Sequence, residues 1–105
     1  MENNKLLSVI IPAYNEQDMI ATTFETVKDI LNKNTIPFEI LFVDDGSSDA
    51  TYSKIAELSV SNPEIRGISF SKNFGKESAI FAGLENAAGA CCVIMDCDLQ
   101  HPPVL

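Results

Sequence analysis

Two aspartates near the end of the chain, Asp96 and Asp98, have the spacing of a metal-binding pair. They directly follow an apolar run at residues 91–95, and alternate residues of an extended strand point to the same side. Two carboxylates held so close repel each other unless a cation lies between them. Oxygen ligands of this type suit Mg²⁺ or Mn²⁺, which commonly also bind substrate phosphates. The pair therefore predicts a divalent metal site beside a phosphate-bearing ligand.

A second acidic pair, Asp44 and Asp45, follows the apolar run at residues 38–43 and precedes Gly46. Carboxylates at this position can accept hydrogen bonds from a nucleobase N–H or from ribose hydroxyls. The alternative is that they stabilise a turn or cap the next helix. We favour ligand binding for Asp44 and Asp45 and the turn role for Asp49. Neither glycine-rich phosphate-binding fingerprint occurs in the chain.

Aromatic and basic residues add to this set. Tyr14 offers a flat ring on which a nucleobase can rest, between Pro12, which ends the first apolar run, and Glu16. Lys72 and Lys76 flank the predicted start of a helix, where lysines and helix N–H groups favour a diphosphate or a phosphorylated acceptor. For both lysines the alternative of solvated loop residues stays open.

The elements that position these residues follow from the hydrophobic pattern. Near-continuous apolar runs at residues 6–11, 38–43, 65–70 and 91–95 predict strands of a parallel sheet that is buried on both faces. The segments between the runs have helical periodicity. The predicted fold is therefore a layered α/β fold of order β-α-β-α-β-α-β with right-handed crossovers. Ligands of such sheets bind beyond the carboxyl ends of the strands, where all the residues above lie.

The sequence also predicts the start and the buried residues of each of the three helices. The first has Asn15 as its cap, Asp18 in its first turn and one buried stripe of Ile20, Thr23, Phe24, Val27, Ile30 and Leu31. The second begins at Ser47 or Ser48 and buries Tyr52, Ile55 and Ala56. The third covers residues 75–88 and buries Ala79, Ile80, Gly83, Leu84 and Ala87.

Composition limits the classes of function. The 105 residues fit one domain, and a formal net charge of −8 excludes nucleic acid as the main partner, because phosphate binding needs a basic face. Cys91, Cys92 and Cys97 form no disulfide framework, and we expect them to be small buried residues in a reducing compartment. The amino terminus lacks the features of a signal peptide, and no apolar run approaches the ~20 residues that span a bilayer. We therefore expect a cytoplasmic location.

Four segments together resemble family 2 glycosyltransferases of the GT-A fold. They are Val-Ile-Ile-Pro-Ala-Tyr-Asn-Glu at 9–16, Val-Asp-Asp-Gly-Ser-Ser-Asp at 43–49, Asn-Phe-Gly-Lys at 73–76 and Asp-Cys-Asp-Leu-Gln at 96–100. The last two are similar to those of polyprenyl-phosphate glycosyltransferases, which include dolichyl-phosphate mannose synthases and bactoprenol glucosyltransferases. The resemblance implies that residues 1–105 form the nucleotide-sugar-binding amino-terminal part of a Rossmann-like GT-A domain, with helices on both faces of a mainly parallel sheet.

The resemblance also implies residue roles. The nucleoside pocket would be lined by Pro12, Tyr14, Glu16, Val43 and Asp45, with Asp44 adjacent. Catalytic Asp96 and Asp98, assisted by Gln100, would hold Mg²⁺ or Mn²⁺ on the donor diphosphate. The implied reaction is inverting transfer of a sugar from a UDP-sugar or GDP-sugar to undecaprenyl or dolichyl phosphate, at the cytoplasmic face of a membrane. The sequence departs from the common pattern of that group at three positions, with Cys97 in place of alanine, Lys72 in place of arginine and His101 in place of aspartate.

Members of that group continue well beyond the metal motif, with an acceptor part and often membrane-associated helices. We therefore expect these residues to bind a nucleotide weakly, to be inactive alone and to self-associate through an unpaired sheet edge. Two alternatives remain at this stage, a family 2 transferase with a saccharide acceptor and a non-catalytic, receiver-like nucleotide-binding module. The sugar, the base and the lipid are not determined.

Overall fold

Strands and helices alternate along the chain in the computed structural model, which describes residues 5–97. The elements are β1 (Leu7–Ala13), α1 (Ile20–Lys33), β2 (Phe38–Asp44), α2 (Thr51–Ser61), β3 (Ile65–Ser69), α3 (Lys76–Asn86) and β4 (Cys91–Ile94). The order of elements is the predicted one, and most strand ends differ from the prediction by one or two residues.

The four strands form one parallel sheet in the order β3-β2-β1-β4. The central strands β1 and β2 are buried along almost their whole length, which agrees with their apolar sequences. Because all strands are parallel, their carboxyl ends meet at one rim of the sheet. The predicted α/β architecture is confirmed.

The helices lie on both faces of the sheet. On one face, α1 and α2 pack against alternate residues of β1 and β2, with Phe24, Phe42 and Ile55 fully buried in the larger core cluster. On the other face, α3 packs against Ile10 and Val43 through Ala79. A Cβ atom at Gly83 would lie 2.5 Å from Cγ2 of Ile10. This glycine therefore lets α3 approach the sheet closely.

The buried stripe predicted for α1 is confirmed except at Ile30, which is half-buried. The predicted starts of the first two helices are wrong, whereas the third helix begins at Lys76, within one residue of its predicted start. Asn15 does not cap α1, because its φ of 52° places it in the loop before the helix and Met19 is the capping residue. Asp18 also precedes the first turn. The second helix begins at Thr51, since residues 47–50 bind the neighbouring loop instead.

The buried face of α2 also differs from the prediction. Thr51 and Ile55 are buried, and Leu58 packs against the core, whereas Tyr52 and Ala56 are exposed. In α3, Ala79 and Gly83 are buried as predicted, but Leu84 is exposed. Of the predicted burials in α2 and α3, those of Ile55, Ala79 and Gly83 are confirmed.

The prediction of two buried faces fails for both edge strands of the described sheet. In β3 only Ile65 is buried, and Arg66, Gly67 and Ser69 are exposed. All four residues of β4 (Cys91–Ile94), which pairs with β1 at the other edge, are exposed. The expectation that Cys91 and Cys92 are buried is therefore wrong, whereas that for Cys97 is confirmed. No helix among residues 5–97 is both long enough and apolar enough to cross a membrane.

A polar network around the buried Glu39 lies at the amino-terminal end of the sheet. Glu39 at the start of β2 accepts hydrogen bonds from the Ser8 hydroxyl at 2.6 Å, the Ala88 N–H at 2.7 Å and the Arg66 guanidinium at 3.0 Å. Arg66 also donates to the carbonyl of Asn86, the last residue of α3. The carboxylate thereby fixes the carboxyl end of α3.

Candidate functional site

A cavity of about 250 Å³ opens at the carboxyl-terminal rim of the sheet. The residues that line it come from the ends of β1 and β4, from the loop after β2 and from the start of α3. They are Pro12, Ala13, Tyr14, Glu16, Asp45, Lys76, Asp96 and Cys97. Six of these residues were predicted site residues, so the fold brings together segments that are up to 85 positions apart in sequence, 12 to 97.

The loop that carries Tyr14 and Glu16 is held by the loop before α2. The Asn15 N–H donates to the Ser47 hydroxyl at 2.8 Å, and the Ser48 N–H donates to the Asn15 side chain at 2.8 Å. The Glu16 N–H donates to the Thr51 hydroxyl at 2.8 Å. This pairing leaves the Tyr14 side chain 48% exposed, so its ring is available to a ligand.

Asp49 has the turn role that we favoured from sequence. Its carboxylate accepts hydrogen bonds from the N–H and the hydroxyl of Thr51, two residues later, just where α2 begins. The Thr51 hydroxyl is the main cause that lowers the pKa of this carboxyl below its usual value. The two hydroxyl residues Ser47 and Thr51 were not predicted to support the site, although their position after the acidic pair is typical of a turn.

Asp45 is almost fully buried at the end of β2, with 4% of its surface exposed. Its carboxylate accepts hydrogen bonds from the Phe74 N–H at 2.8 Å, the Gly75 N–H at 3.0 Å and the Asn73 side-chain amide at 3.1 Å. The loop after β2 and the segment before α3 are thus joined by one carboxylate.

Lys76 and Asp96 form an ion pair at the edge of the cavity. Lys76 is the first residue of α3, Asp96 follows β4, and their Nζ and Oδ1 atoms are 2.6 Å apart. Both side chains are about 60% exposed, at 60% and 59%. Water or a ligand can therefore reach both charges. Cys97, next along the chain, is buried, and its carbonyl accepts a hydrogen bond from the Thr23 hydroxyl of α1.

Comparison with known protein families identifies the family to which the chain belongs. The model of the family "Glycosyl transferase family 2" matches residues 8–105, which is nearly the whole chain. The chain belongs to glycosyl transferase family 2. The resemblance noted from the four sequence segments is confirmed, and the alternative of a receiver-like module is excluded.

Relatives within this family include transferases of one named class. The bactoprenol glucosyl transferase of Shigella phage SfV is 43% identical over 96 residues, which cover 91% of this chain and 31% of that protein. A prophage bactoprenol glucosyl transferase homolog of Escherichia coli has the same identity and coverage, 43%, 91% and 31%. The chain therefore spans about a third of the length of these relatives.

Solved structures of glycosyltransferases have the same fold. The mannosyltransferase PcManGT from Pyrobaculum calidifontis, in complex with GDP-Man and Mn²⁺, matches 92% of this chain with a TM-score of 0.78 and 26% identity, and the match covers 28% of that protein. S. aureus TarS 1-349 in complex with UDP-GlcNAc matches 88% of this chain with a TM-score of 0.70 and 28% identity, over 26% of its length. The predicted Rossmann-like GT-A fold is confirmed.

The family implies a divalent metal, and part of the predicted ligand set lies within the described residues. Asp96 presents an exposed carboxylate to the cavity, which is the hard oxygen ligand that Mg²⁺ and Mn²⁺ prefer. Asp98 and Gln100, as well as His101, lie outside the described residues. Within residues 5–97, no three His, Cys, Asp or Glu side chains come together as a metal site. The donor chemistry of Asp96 fits the metal.

Three predicted site residues do not line the cavity. Val43 is fully buried against α3, and Asp44 is buried with one carboxylate oxygen accepting a hydrogen bond from the Ser47 N–H at 3.1 Å. The Lys72 ammonium lies 5.3 Å from the centre of the Phe74 ring. Their contacts with a ligand stay predictions.

Proposed function

We propose that this chain forms the nucleotide-sugar-binding part of a polyprenyl-phosphate glycosyltransferase. The observation that carries the proposal is the cavity at the carboxyl-terminal rim, which combines an exposed tyrosine ring, an ammonium and carboxylates in a family 2 chain. In this proposal residues 1–105 are the amino-terminal part of a GT-A domain whose acceptor part lies elsewhere in the protein.

The donor in this proposal is a UDP-sugar or a GDP-sugar. The ring of Tyr14 stacks on the base, and Pro12, Glu16 and Asp45 line the nucleoside pocket, with the buried Val43 and Asp44 adjacent. The structures that bear GDP-Man or UDP-GlcNAc support a nucleoside diphosphate sugar without selecting the base. Since the chain has a net charge of −8, the diphosphate needs local cations, and we assign Lys72 and Lys76 to it.

Asp96, Asp98 and Gln100 are the residues that would hold Mg²⁺ or Mn²⁺. When bound, such an ion neutralises the charge that develops on a departing nucleoside diphosphate. The Mn²⁺ in the PcManGT complex supports this assignment. Lys76, beside Asp96, places a second positive charge at the same edge of the cavity.

The acceptor in this proposal is a polyprenyl phosphate such as undecaprenyl or dolichyl phosphate, which the names of the bactoprenol glucosyl transferases support. A phosphate monoester has its second pKa near 6 and is nucleophilic at neutral pH, so little general-base assistance is needed. In-line attack inverts the sugar configuration. Because the acceptor is a membrane lipid, the whole protein acts at the cytoplasmic face of the membrane in cell-envelope synthesis. A saccharide acceptor is the competing assignment.

Residues 1–105 alone are expected to bind nucleotide without turnover, since they span only about a third of the length of the bactoprenol glucosyl transferases. They are also expected to self-associate, because the edge strand β4 (Cys91–Ile94) exposes Val93 and Ile94 at 42% and 46%. Light scattering over a range of protein concentrations checks this, and a strict monomer at high concentration contradicts it.

Calorimetric titration of this chain with UDP and with GDP, with and without Mn²⁺, tests the proposed function. We expect binding of one nucleotide that Mn²⁺ strengthens, and loss of the Mn²⁺ effect in Asp96→Asn. The matched control is Asp29→Asn, an exposed acid on α1 away from the cavity. Absence of binding by either nucleotide with Mn²⁺ present, or an unchanged Mn²⁺ effect in Asp96→Asn, contradicts the proposal.

A further inference from the structure

We propose that Asp45 is a positioning residue, whose carboxylate holds the amino end of α3 so that Lys76 is placed in the cavity beside Asp96. Asp45 then affects a bound nucleotide at the diphosphate, through Lys76, in addition to its place in the nucleoside pocket. The part of this inference that concerns the ligand rests on the proposed function, whereas the part that concerns α3 does not.

The first support is how fully protein donors occupy the Asp45 carboxylate. A carboxylate has about four lone-pair sites. Oδ1 accepts from the Phe74 N–H at 2.8 Å, and Oδ2 accepts from the Gly75 N–H at 3.0 Å and from the Asn73 amide at 3.1 Å. The same Asn73 amide also lies 3.1 Å from the Asp45 carbonyl oxygen. Most of the acceptor capacity of Asp45 is therefore directed at residues 73–75.

The second support is that α3 lacks a cap from its own sequence. Gly75 is its capping residue, has a φ of 108° and has no side chain that could fix the helix start. Asp45 supplies the missing contact from β2, by binding the N–H groups of the capping residue and of the residue before it. A carboxylate near a helix amino terminus is also favoured by the helix dipole.

The third support is steric and independent of the hydrogen bonds. Gly46, the residue after Asp45, has a φ of 72°, and a Cβ atom there would lie 2.2 Å from the carbonyl carbon of Lys72 and 2.4 Å from the Asn73 nitrogen. The loop after β2 thus touches the segment before α3 backbone to backbone. Lys76 directly follows this fixed segment, and its ammonium lies 2.6 Å from Asp96.

Titration of wild type and Asp45→Asn with a nucleoside and with the matching nucleoside diphosphate, in the presence of Mn²⁺, tests the ligand part. The amide of asparagine has the shape of the carboxylate but only one acceptor atom. We expect the loss of affinity to be about tenfold larger for the diphosphate than for the nucleoside. In a Lys76→Met background, the loss that Asp45→Asn causes for the diphosphate should fall to that for the nucleoside, because both changes remove the same contribution.

The outcomes separate this inference from the proposed function. Equal losses for nucleoside and diphosphate would overturn the positioning role, as would fully additive losses for the diphosphate in the double variant. If the wild type binds neither UDP nor GDP, the proposed function fails, and the following measurement still decides the role of Asp45 at α3.

Amide hydrogen exchange provides the measurement that needs no nucleotide. In Asp45→Asn we expect the Phe74 and Gly75 amides to lose protection while the β1 amides keep theirs. Asn73→Ala, which removes one donor and no charge, should produce a smaller loss at the same amides. The control is Asp44→Asn, a neighbouring buried acid that accepts from Ser47 instead and should leave both amides protected. Retained protection in Asp45→Asn overturns the proposal.

Discussion

The two ends of α3 are held by two carboxylates, one in β2 and one directly after it. Glu39 starts the buried part of β2 and holds the carboxyl end of the helix through Ala88 and Arg66, whereas Asp45, just past β2, holds the amino end. Six residues of strand span about 20 Å, and the 11 residues of α3 span about 16 Å. Because the two acids are an even number of residues apart, they lie on the same face of the sheet as the helix.

The surroundings of these two anchors differ. At the amino-terminal end of the sheet, Glu39 is buried, and its oxygens accept hydrogen bonds from the protein. At the carboxyl-terminal end of the sheet, Asp45 lies beside an open cavity, and the nearby Lys76–Asp96 pair is more than half exposed. The same fold therefore uses one rim for stability and keeps charges accessible at the other. Binding needs polar groups that a ligand can reach, which a closed network does not offer.

The largest effect on stability is expected at the rim that carries the cavity, for Gly46→Ala. A left-handed φ strains alanine by about 1–2 kcal/mol, and the overlap with the backbone of residues 72–73 adds about 1–3 kcal/mol. Urea unfolding should show the sum as a lower free energy of unfolding. Gly75→Ala shows the cost of a positive φ without a clash, because nothing lies within 4 Å of a Cβ atom there. A loss in Gly46→Ala no larger than the roughly 1–2 kcal/mol of backbone strain would mean that the close approach contributes nothing.

At the closed end, Glu39→Gln is expected to lower the free energy of unfolding at pH 7 by about 1.5–3 kcal/mol, the range for hydrogen bonds to a charged group. Glu57→Gln, an exposed acid on α2, should change it by less than about 0.5 kcal/mol. Urea unfolding of both variants measures the difference. A similar small change in both would show that the Glu39 network adds no stability.

The Glu39→Gln variant also tests whether the charge of Glu39 stabilises the fold, through the pH dependence of the free energy of unfolding. Burial alone would raise the pKa of Glu39, but hydrogen bonds from Ser8 and Ala88 and the Arg66 guanidinium outweigh it, so that this pKa lies below the ordinary 4.5. A lowered folded-state pKa means that the added stability is complete above the unfolded-state value and is lost as the pH falls through the folded-state value. The difference between wild type and Glu39→Gln should therefore shrink on acidification. A difference that grows below pH 4 would contradict this sign.

The smallest effect on stability is expected for Lys76→Met. Exposed ion pairs contribute about 0–1 kcal/mol, so unfolding should change little, while affinity for a nucleoside diphosphate should fall by about tenfold. Lys33→Met removes another exposed pair, Lys33–Asp29 at 3.3 Å, and should affect neither property strongly. If Lys76→Met destabilises the fold as much as Glu39→Gln does, the contrast between the two rims is lost.

Sequence patterns predicted the parts of this molecule that are governed by local rules. The apolar runs identified all four strands, and the stripe around Phe24 identified α1, because central strands and an amphipathic helix have unambiguous periods. The helix starts failed where polar side chains had two possible partners. Asn15 and Ser47 look like caps in sequence, but in the structure they bind each other's loops.

The sequence likewise predicted only some features of the candidate site. Asp96, Tyr14 and Asp45 were recognised from residue type and from their position after a strand, and the parallel sheet brings them to one cavity. The pairing of Asp45 with residues 73–75 has no counterpart in sequence, since it joins segments about 30 residues apart. The exposure of β4 was missed for a related reason, because an apolar edge strand and an apolar central strand have the same composition.

The sequence by itself determined the order of elements, the parallel α/β fold and the family, because each depends on periodicity or on motifs within a short segment. Only the tertiary structure decided which acid at the end of β2 faces α3 and which one lies under a turn. Neighbouring residues of a strand point to opposite faces, and what lies over each face is set by distant parts of the chain. Asp44 and Asp45 are alike in sequence and differ for that reason.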